Sequence, residues 1–272
     1  MKKLFQSKRL GQVFLKDRNI LDKILASAKL QPTDVVVEIG CGEGWLSAAL
    51  AKTCATLYIF EIDPRFLAIT KDRLSAYSHV VYCEGDVIKN TFLPISSPLF
   101  KVVANIPYQI SAPITKLLIN ATTQLSVAVV MVQKEFAQKL IALPNTRLYT
   151  SFSLYCQYHL QIRLLFHVSK TCFRPIPKVD SSVIEIIPRT SKPLPVEEED
   201  VFFSMVRSAF WARRKTLFNC LKHSPYLTLD PLFGQDTDMA PFLTRRGETL
   251  GLSEFLCLYH ILKKYRLHLN IS

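Results

Sequence analysis

Apolar and polar positions along the first two thirds of the chain switch repeatedly between helical and strand-like spacing. Residues 19–29 place Ile20, Leu21, Ile24, Leu25 and Ala28 on one face of an amphipathic helix. A Pro32-Thr33-Asp34 turn comes next, and residues 35–39 read as a buried strand ended by Gly40. Helical spacing over 46–52, a strand over 57–62, a helix over 64–74 and a strand over 79–83 continue the series. Residues 100–104 predict a fourth strand, 113–119 a helix and 127–132 a fifth strand. Residues 152–168 and 182–187 predict further strands that close the sheet. Strands alternating with helices at this spacing predict an α/β fold with a doubly wound, mostly parallel sheet.

The pattern changes near residue 188. Pro188, Pro193 and Pro195 punctuate a short stretch that reads as a linker, because proline suits neither helix nor sheet interiors. Glu197 to Asp200 form an acidic run after it, which suits the positive end of a helix better than a functional patch. Beyond that run only helical patterns remain, over 201–220 and 252–265. The expected organisation is a domain over 1–190 and a small all-helical C-terminal domain over 191–272.

Composition narrows the class. Apolar residues make up 49% of the 272 positions and charged residues 21%, values ordinary for a packed globular protein. The longest apolar run, Val127 to Val132, is far short of the ~20 residues that span a bilayer. Met1-Lys2-Lys3 resembles the start of a secretory signal, but Lys8, Arg9, Lys16 and Arg18 break up the positions where its apolar core would lie. A cytoplasmic protein with no membrane partner is expected. The seven cysteines are scattered without a CxxC pair, and the six histidines show no ligand spacing; reduced thiols and no metal are expected. The net charge of +12 is spread over both halves of the chain, which favours a basic folded face and a nucleic-acid partner over a basic tail.

Three of only eight glycines sit at 40, 42 and 44, directly after a predicted strand and before a predicted helix. Glycine belongs where the backbone turns tightly and approaches a ligand. The GxGxxG dinucleotide fingerprint fails at Trp45, and no P-loop pattern exists, so an ordinary tight turn remains open for this segment taken alone. Glu61 ends the next strand, 21 residues after Gly40, where a carboxylate can accept both ribose hydroxyls of a nucleoside; a solvated strand end is the alternative. Asp86 comes just after the third strand and could accept a bond from an adenine amino group, or simply close an Asx turn. The ordered series of glycine loop, Glu and Asp is similar to the S-adenosylmethionine fold of class I methyltransferases.

The fourth strand runs into Asn105-Ile106-Pro107-Tyr108. An exocyclic amine of adenine is a poor nucleophile, because its lone pair is delocalised into the ring. The Asn105 side-chain carbonyl and the Ile106 backbone carbonyl could hold its two N–H groups and draw it towards tetrahedral geometry. Pro107 stiffens the turn, and Tyr108 offers a ring for the base to stack on. No strong base is required, since the methylated amine sheds its proton readily. In isolation the same four residues would also make a plain turn.

With Gly11-Gln12-Val13-Phe14-Leu15, the Phe173-Arg174-Pro175-Ile176-Pro177-Lys178-Val179-Asp180-Ser181 loop, and Arg207, Phe210, Arg213, Arg214, Lys215 and Leu217, the chain resembles the small-subunit ribosomal RNA adenine dimethyltransferases nearly end to end. Residues 246–255 resemble that family's closing segment. The resemblance implies a Rossmann-like class I methyltransferase domain with S-adenosylmethionine as cofactor. It implies cofactor contacts at Val13, Leu15, Gly40, Gly42, Glu61, Asp86 and Asn105, with Val13 replacing the family's usual Asn. It implies a target base sandwiched between Tyr108 and Phe173, and RNA contacts at Arg207, Arg213, Arg214 and Lys215. The implied activity is N6,N6-dimethylation of two adjacent adenosines in the 3′-terminal hairpin of 16S-type small-subunit rRNA, by a monomer acting on the assembling 30S-type subunit. The large-subunit enzymes of macrolide resistance share every active-site motif, but residues 210–217 and 246–255 favour the small-subunit group. DNA adenine methyltransferases usually carry Pro where this chain has Ile106. An assembly factor whose binding outweighs its catalysis would share the whole pattern.

Overall fold

The computed structural model describes residues 13–92, 95–265 and 267–269. Gly11 and Gln12 of the N-terminal motif, and Met1, Lys2, Lys3, Lys8 and Arg9, lie outside the described residues. Two compact units emerge. One holds the described part of Met1–Ala137 with Leu160–Pro188; the other holds Gln138–His159 with the described part of Arg189–Ser272.

The first unit carries strands β1 (Phe14–Leu15), β2 (Val35–Ile39), β3 (Thr56–Glu61), β4 (Val80–Glu84), β5 (Phe100–Asn105), β6 (Leu125–Gln133), β7 (Leu160–Val168), β8 (Phe173–Arg174) and β9 (Ser181–Pro188). Seven of them form one sheet in the order β4-β3-β2-β5-β6-β9-β7. β2 to β6 pair in parallel, and β9 is antiparallel to both β6 and β7. Helices α1 (Arg18–Ala28), α2 (Trp45–Leu50), α3 (Pro64–Arg73), α4 (Val87–Asn90) and α5 (Ser111–Asn120) lie between strands in the chain, and α6 (Lys134–Leu140) comes after β6. α1 starts where the Asp17 carboxylate accepts the Asn19 and Ile20 amides, and ends at the left-handed Lys29. Val36, Leu57, Ile59, Val103, Val129 and Met131 belong to one buried cluster, as expected for strands covered on both faces.

The predicted strands over 35–39, 57–62, 79–83, 100–104, 127–132 and 182–187 all form, within two residues at each end. The strand expected over 152–168 does so only in its second half. Residues 151–159 are instead helix α7 (Ser151–His159), in the second unit. Leu154 and Tyr158, four residues apart, are both fully buried in that unit's core, so helical spacing overrides the β preference of the aromatic residues. The two units are therefore not two contiguous stretches divided at 190: 138–159 groups with the C-terminal residues.

The second unit continues with α8 (Val196–Phe210), α9 (Leu217–Lys222), α10 (Ala240–Leu243) and α11 (Leu252–Leu262). Glu197, Glu198 and Glu199 occupy the first turn of α8, as the acidic run suggested. The helix expected over 201–220 breaks at Trp211. The C-terminal residues are also not helical throughout, because β10 (Leu227–Leu229) and β11 (Leu267–Leu269) pair antiparallel. Phe202, Met205, Phe255 and Leu258 form this unit's own buried core.

Candidate active site

β2 and β5 are neighbours, yet the sheet grows away from them in opposite senses, with β3 and β4 beyond β2 and β6 beyond β5. Such a reversal opens a crevice at the carboxyl ends of the two strands, where open α/β sheets take ligands. Both candidate motifs end there. β2 runs into Gly40–Gly44, and β5 ends at Asn105. The two loops touch: a Cβ added at Gly40 would lie 3.6 Å from the Pro107 ring and 3.9 Å from the Asn105 carbonyl oxygen. One cleft is lined by Val13, Leu15, Gly40, Gly42, Glu61, Asp86 and the run from Asn105 to Tyr108.

The backbone of the glycine loop is left-handed at Gly40, Gly42 and Gly44. Gly42 holds φ +51°, and a Cβ there would stand 3.0 Å from the Phe14 ring. Its amide donates to Glu61 Oε2 at 3.3 Å, and the Asp63 amide donates to Oε1 at 3.0 Å. Glu61 is thus oriented by backbone donors on both oxygens; Oε2 also accepts the Cys41 thiol at 3.6 Å, so Oε1 keeps the freer lone pair for a ligand hydroxyl. Asp86 caps α4, its Oδ1 accepting the Ile88 amide at 3.0 Å. The turn uses one carboxylate oxygen and leaves the other, so the Asx turn and a ligand contact are compatible.

Asn105 Nδ2 donates to the Val13 carbonyl oxygen at 3.4 Å. Among the described residues no group donates to the Asn105 side-chain oxygen, which remains an acceptor. Valine in place of the family's asparagine leaves this contact intact, because the backbone carbonyl makes it. Ile106 is buried, and its amide donates to the Met131 carbonyl at 3.1 Å, pinning the turn to β6. Tyr108 lines the cleft half-buried, and its hydroxyl lies 2.6 Å from Ser181 Oγ. Burial pushes the phenol up from its ordinary range; Ser181 opposes this and Asp180 adds to it.

Phe173 does not line the cleft. Pairing of β8 with β1 sets Phe173 opposite Leu15 and buries it completely in the core. In this structure Tyr108 therefore faces the cleft without Phe173 as a second wall.

Glu38 opens the Glu38–Gly44 motif of the glycine loop, which assigns it no role of its own, yet it belongs to the site. It sits on β2, lines the same cleft, is 1% exposed, and among the described residues has no hydrogen-bond partner on either oxygen. Burial pushes its carboxyl up to about 8; the Ser47 hydroxyl, close by but not in hydrogen-bonding geometry, opposes this, and Glu61 adds to it. A buried acid with nothing to bond is costly unless a ligand completes it. The available signal was an acid inside a central parallel strand, where both faces are covered.

The basic residues of the second unit differ among themselves. Arg207, on α8, donates to Ser204 Oγ at 2.8 Å and stacks over the Tyr226 ring at 5.2 Å. Arg213, Arg214 and Lys215 sit in the turn after α8 rather than on a helix. Arg213 pairs with Glu248 at 2.5 Å and donates to the Arg147 carbonyl at 2.9 Å. Arg214 and Lys215 are exposed.

The chain is similar to known proteins. The family model described as ribosomal RNA adenine dimethylase matches residues 5–227. The ribosomal RNA small subunit methyltransferase A of Enterococcus faecalis is 37% identical over 94% of this chain and 90% of its own length. That of Listeria monocytogenes is 39% identical over the same shares. Among solved structures, a dimethyladenosine transferase from Plasmodium falciparum matches with a TM-score of 0.77 and 29% identity, covering 92% of this chain and 98% of that one. The 23S rRNA methyltransferase ErmE matches with a TM-score of 0.71 and 26% identity, covering 92% and 99%.

Proposed function

Because the chain belongs to the ribosomal RNA adenine dimethylase family, we propose that it dimethylates the exocyclic nitrogens of two adjacent adenosines in the 3′-terminal hairpin of small-subunit rRNA. The observation that carries this reading is the meeting of the glycine loop and the Asn105–Tyr108 turn in one cleft at the sheet's switch point.

S-adenosylmethionine, the methyl donor of class I methyltransferases, supplies an electrophilic methyl group. The cleft fits it chemically, since a fully buried acid whose two oxygens have no partner among the described residues lines it beside a second, oriented acid. Glu38 would take the donor's ammonium group, Glu61 the ribose hydroxyls and Asp86 its adenine amine, with Gly40, Gly42, Val13 and Leu15 shaping the floor. Asn105 Oδ1 and the Ile106 carbonyl accept the two N–H groups of the target amine. This loosens the lone pair from the ring and aims it at the methyl group. Tyr108 supports the base by stacking. The product amine then loses its proton to water. Phe173 can supply a second wall only after the β1–β8 pairing opens.

In the second unit, Arg213, Arg214 and Lys215 are all exposed, but Arg213 is held by Glu248 and the Arg147 carbonyl, whereas Arg214 and Lys215 make no ion pair among the described residues and are the cations left to meet rRNA phosphates. Action on the assembling small subunit, as a monomer in the cytoplasm, completes the proposal. The names of the 37–39% identical relatives favour the small subunit over the large-subunit activity that ErmE's name carries.

Replacing Asn105 with Ala tests the acceptor role. Loss of one oriented partner of this kind typically costs about 10²–10³ in rate. Asn105→Ala is expected to lose that much methyl transfer to unmethylated small subunits while binding them as before. Full activity in the variant would remove Asn105 from the mechanism.

A further inference from the structure

Tyr108 has a tether that none of the cleft motifs requires. Its hydroxyl lies 2.6 Å from Ser181 Oγ, a hydrogen bond in which either group can donate. Ser181 is fully buried. It opens β9, where its backbone faces Gln133 on β6 and Val168 on β7, so it is held by pairing on both sides. The preceding residue is pinned as well: the Asp180 carbonyl accepts the Lys134 amide, and its carboxylate accepts the Lys170 amide, both at 3.0 Å. Ser181 is thus a fixed point.

The element that carries Tyr108 holds its backbone, with the Ser111 hydroxyl and amide donating to the Tyr108 carbonyl, but not its ring. Tyr108 opens a single 3-10 turn, Tyr108–Ile110, that has no side-chain cap. A tyrosine ring held only at Cβ can swing between staggered positions. A bond at the far end of the ring fixes where the ring axis points. A base stacked on that ring, with its amine held by Asn105 and Ile106, would be displaced by any such swing. Small displacements of a reacting group are costly in rate.

Resting on the function proposed above, we infer that Ser181 is the positioning residue of Tyr108, holding its ring in the plane on which the target adenine stacks. Ser181 touches neither the base nor the methyl donor; it acts through the phenol. The loop that carries Phe173 at its start therefore serves the site through its last residue.

A double-mutant cycle tests this on the full-length chain, with unmethylated small subunits as substrate. A lost intramolecular hydrogen bond of about 1.4 kcal/mol corresponds to about tenfold. Ser181→Ala and Tyr108→Phe are each expected to lower kcat/KM for the subunit about tenfold while the affinity for S-adenosylmethionine stays within about twofold. Ser181→Thr should restore most of the loss. The pair Ser181→Ala with Tyr108→Phe should be no worse than either alone, because both remove the same bond. Fluorescence of 2-aminopurine at the target position of an rRNA hairpin gives a readout besides methyl transfer, quenched by the parent and less quenched by Ser181→Ala. Losses that multiply in the double variant, or a Ser181→Ala protein with parental kinetics, would overturn the inference. Should Ser181→Ala fail to fold, Tyr108→Phe with undiminished kcat/KM overturns it equally. A parent inactive on both ribosomal subunits would remove the function itself, and this inference with it.

Discussion

Replacing Glu38 with Gln should change how the protein responds to pH, and the size of the change can be worked from burial. The Glu38 carboxyl is raised from 4.5 to about 8 in the folded chain. Below the lower value both states hold the proton, and the stability linked to it is fully present. Between the two values only the folded state holds it, so this stability is lost progressively as pH rises through about 8. Each pH unit inside the window is worth about 1.4 kcal/mol. From about pH 5.5 to 7.5 the parent should therefore lose about 2.7 kcal/mol relative to Glu38→Gln, which carries a neutral group of the same shape. At roughly 2–4 °C per kcal/mol for a chain of this size, the two melting curves should converge or cross by about 5–11 °C over that range. Donor binding should respond in the opposite sense. If the carboxylate receives the donor's ammonium, binding must expel the proton, and parental affinity should rise about tenfold between about pH 6 and 7. The affinity of Glu38→Gln should be weaker and flat. Calorimetry in buffers of different ionisation enthalpy would count about one proton released by the parent and none by the variant. Parallel melting curves and parallel affinity profiles for the two proteins would refute the reasoning, because they would mean that Glu38 does not change its charge with folding or with binding.

Three other variants probe different parts of the molecule. Gly42→Ala puts a Cβ 3.0 Å from the Phe14 ring at φ +51°; a lower melting temperature, matching a cost of about 1–3 kcal/mol, and weaker donor binding are expected, both readable by thermal unfolding with and without S-adenosylmethionine. The double variant Arg214→Ala with Lys215→Ala should weaken rRNA binding and make the logarithmic salt slope shallower by about 2, whereas Arg213→Ala should mainly lower the melting temperature; filter binding across a salt series separates the two behaviours.

Much of the first unit was legible because a parallel strand covered on both faces leaves a strong apolar run. β2, β5 and β6 were read within two residues for that reason. Those strands set the positions of the glycine loop and of Asn105–Tyr108, and the switch point brought them together. Three features were not legible, each for a physical reason. Residues 151–159 carry Phe152, Tyr155 and Tyr158, whose β preference masked a helical face that only the second unit's core reveals. Phe173 is buried by a two-residue pairing with a strand more than 150 positions away, which no local pattern encodes. Glu38 lies in a run read as a buried strand, but the lack of a partner for its carboxylate among the described residues becomes visible only once β2 is known to be central.

The central claim concerns the substrate, and one comparison tests it most directly. Purified protein and radiolabelled S-adenosylmethionine are incubated with small and large ribosomal subunits from cells that lack both adenine methylations, and the labelled nucleoside is identified after digestion. The account predicts N6,N6-dimethyladenosine in the small-subunit rRNA, close to four methyl groups per particle, and none in the large. Label confined to the large subunit would contradict it.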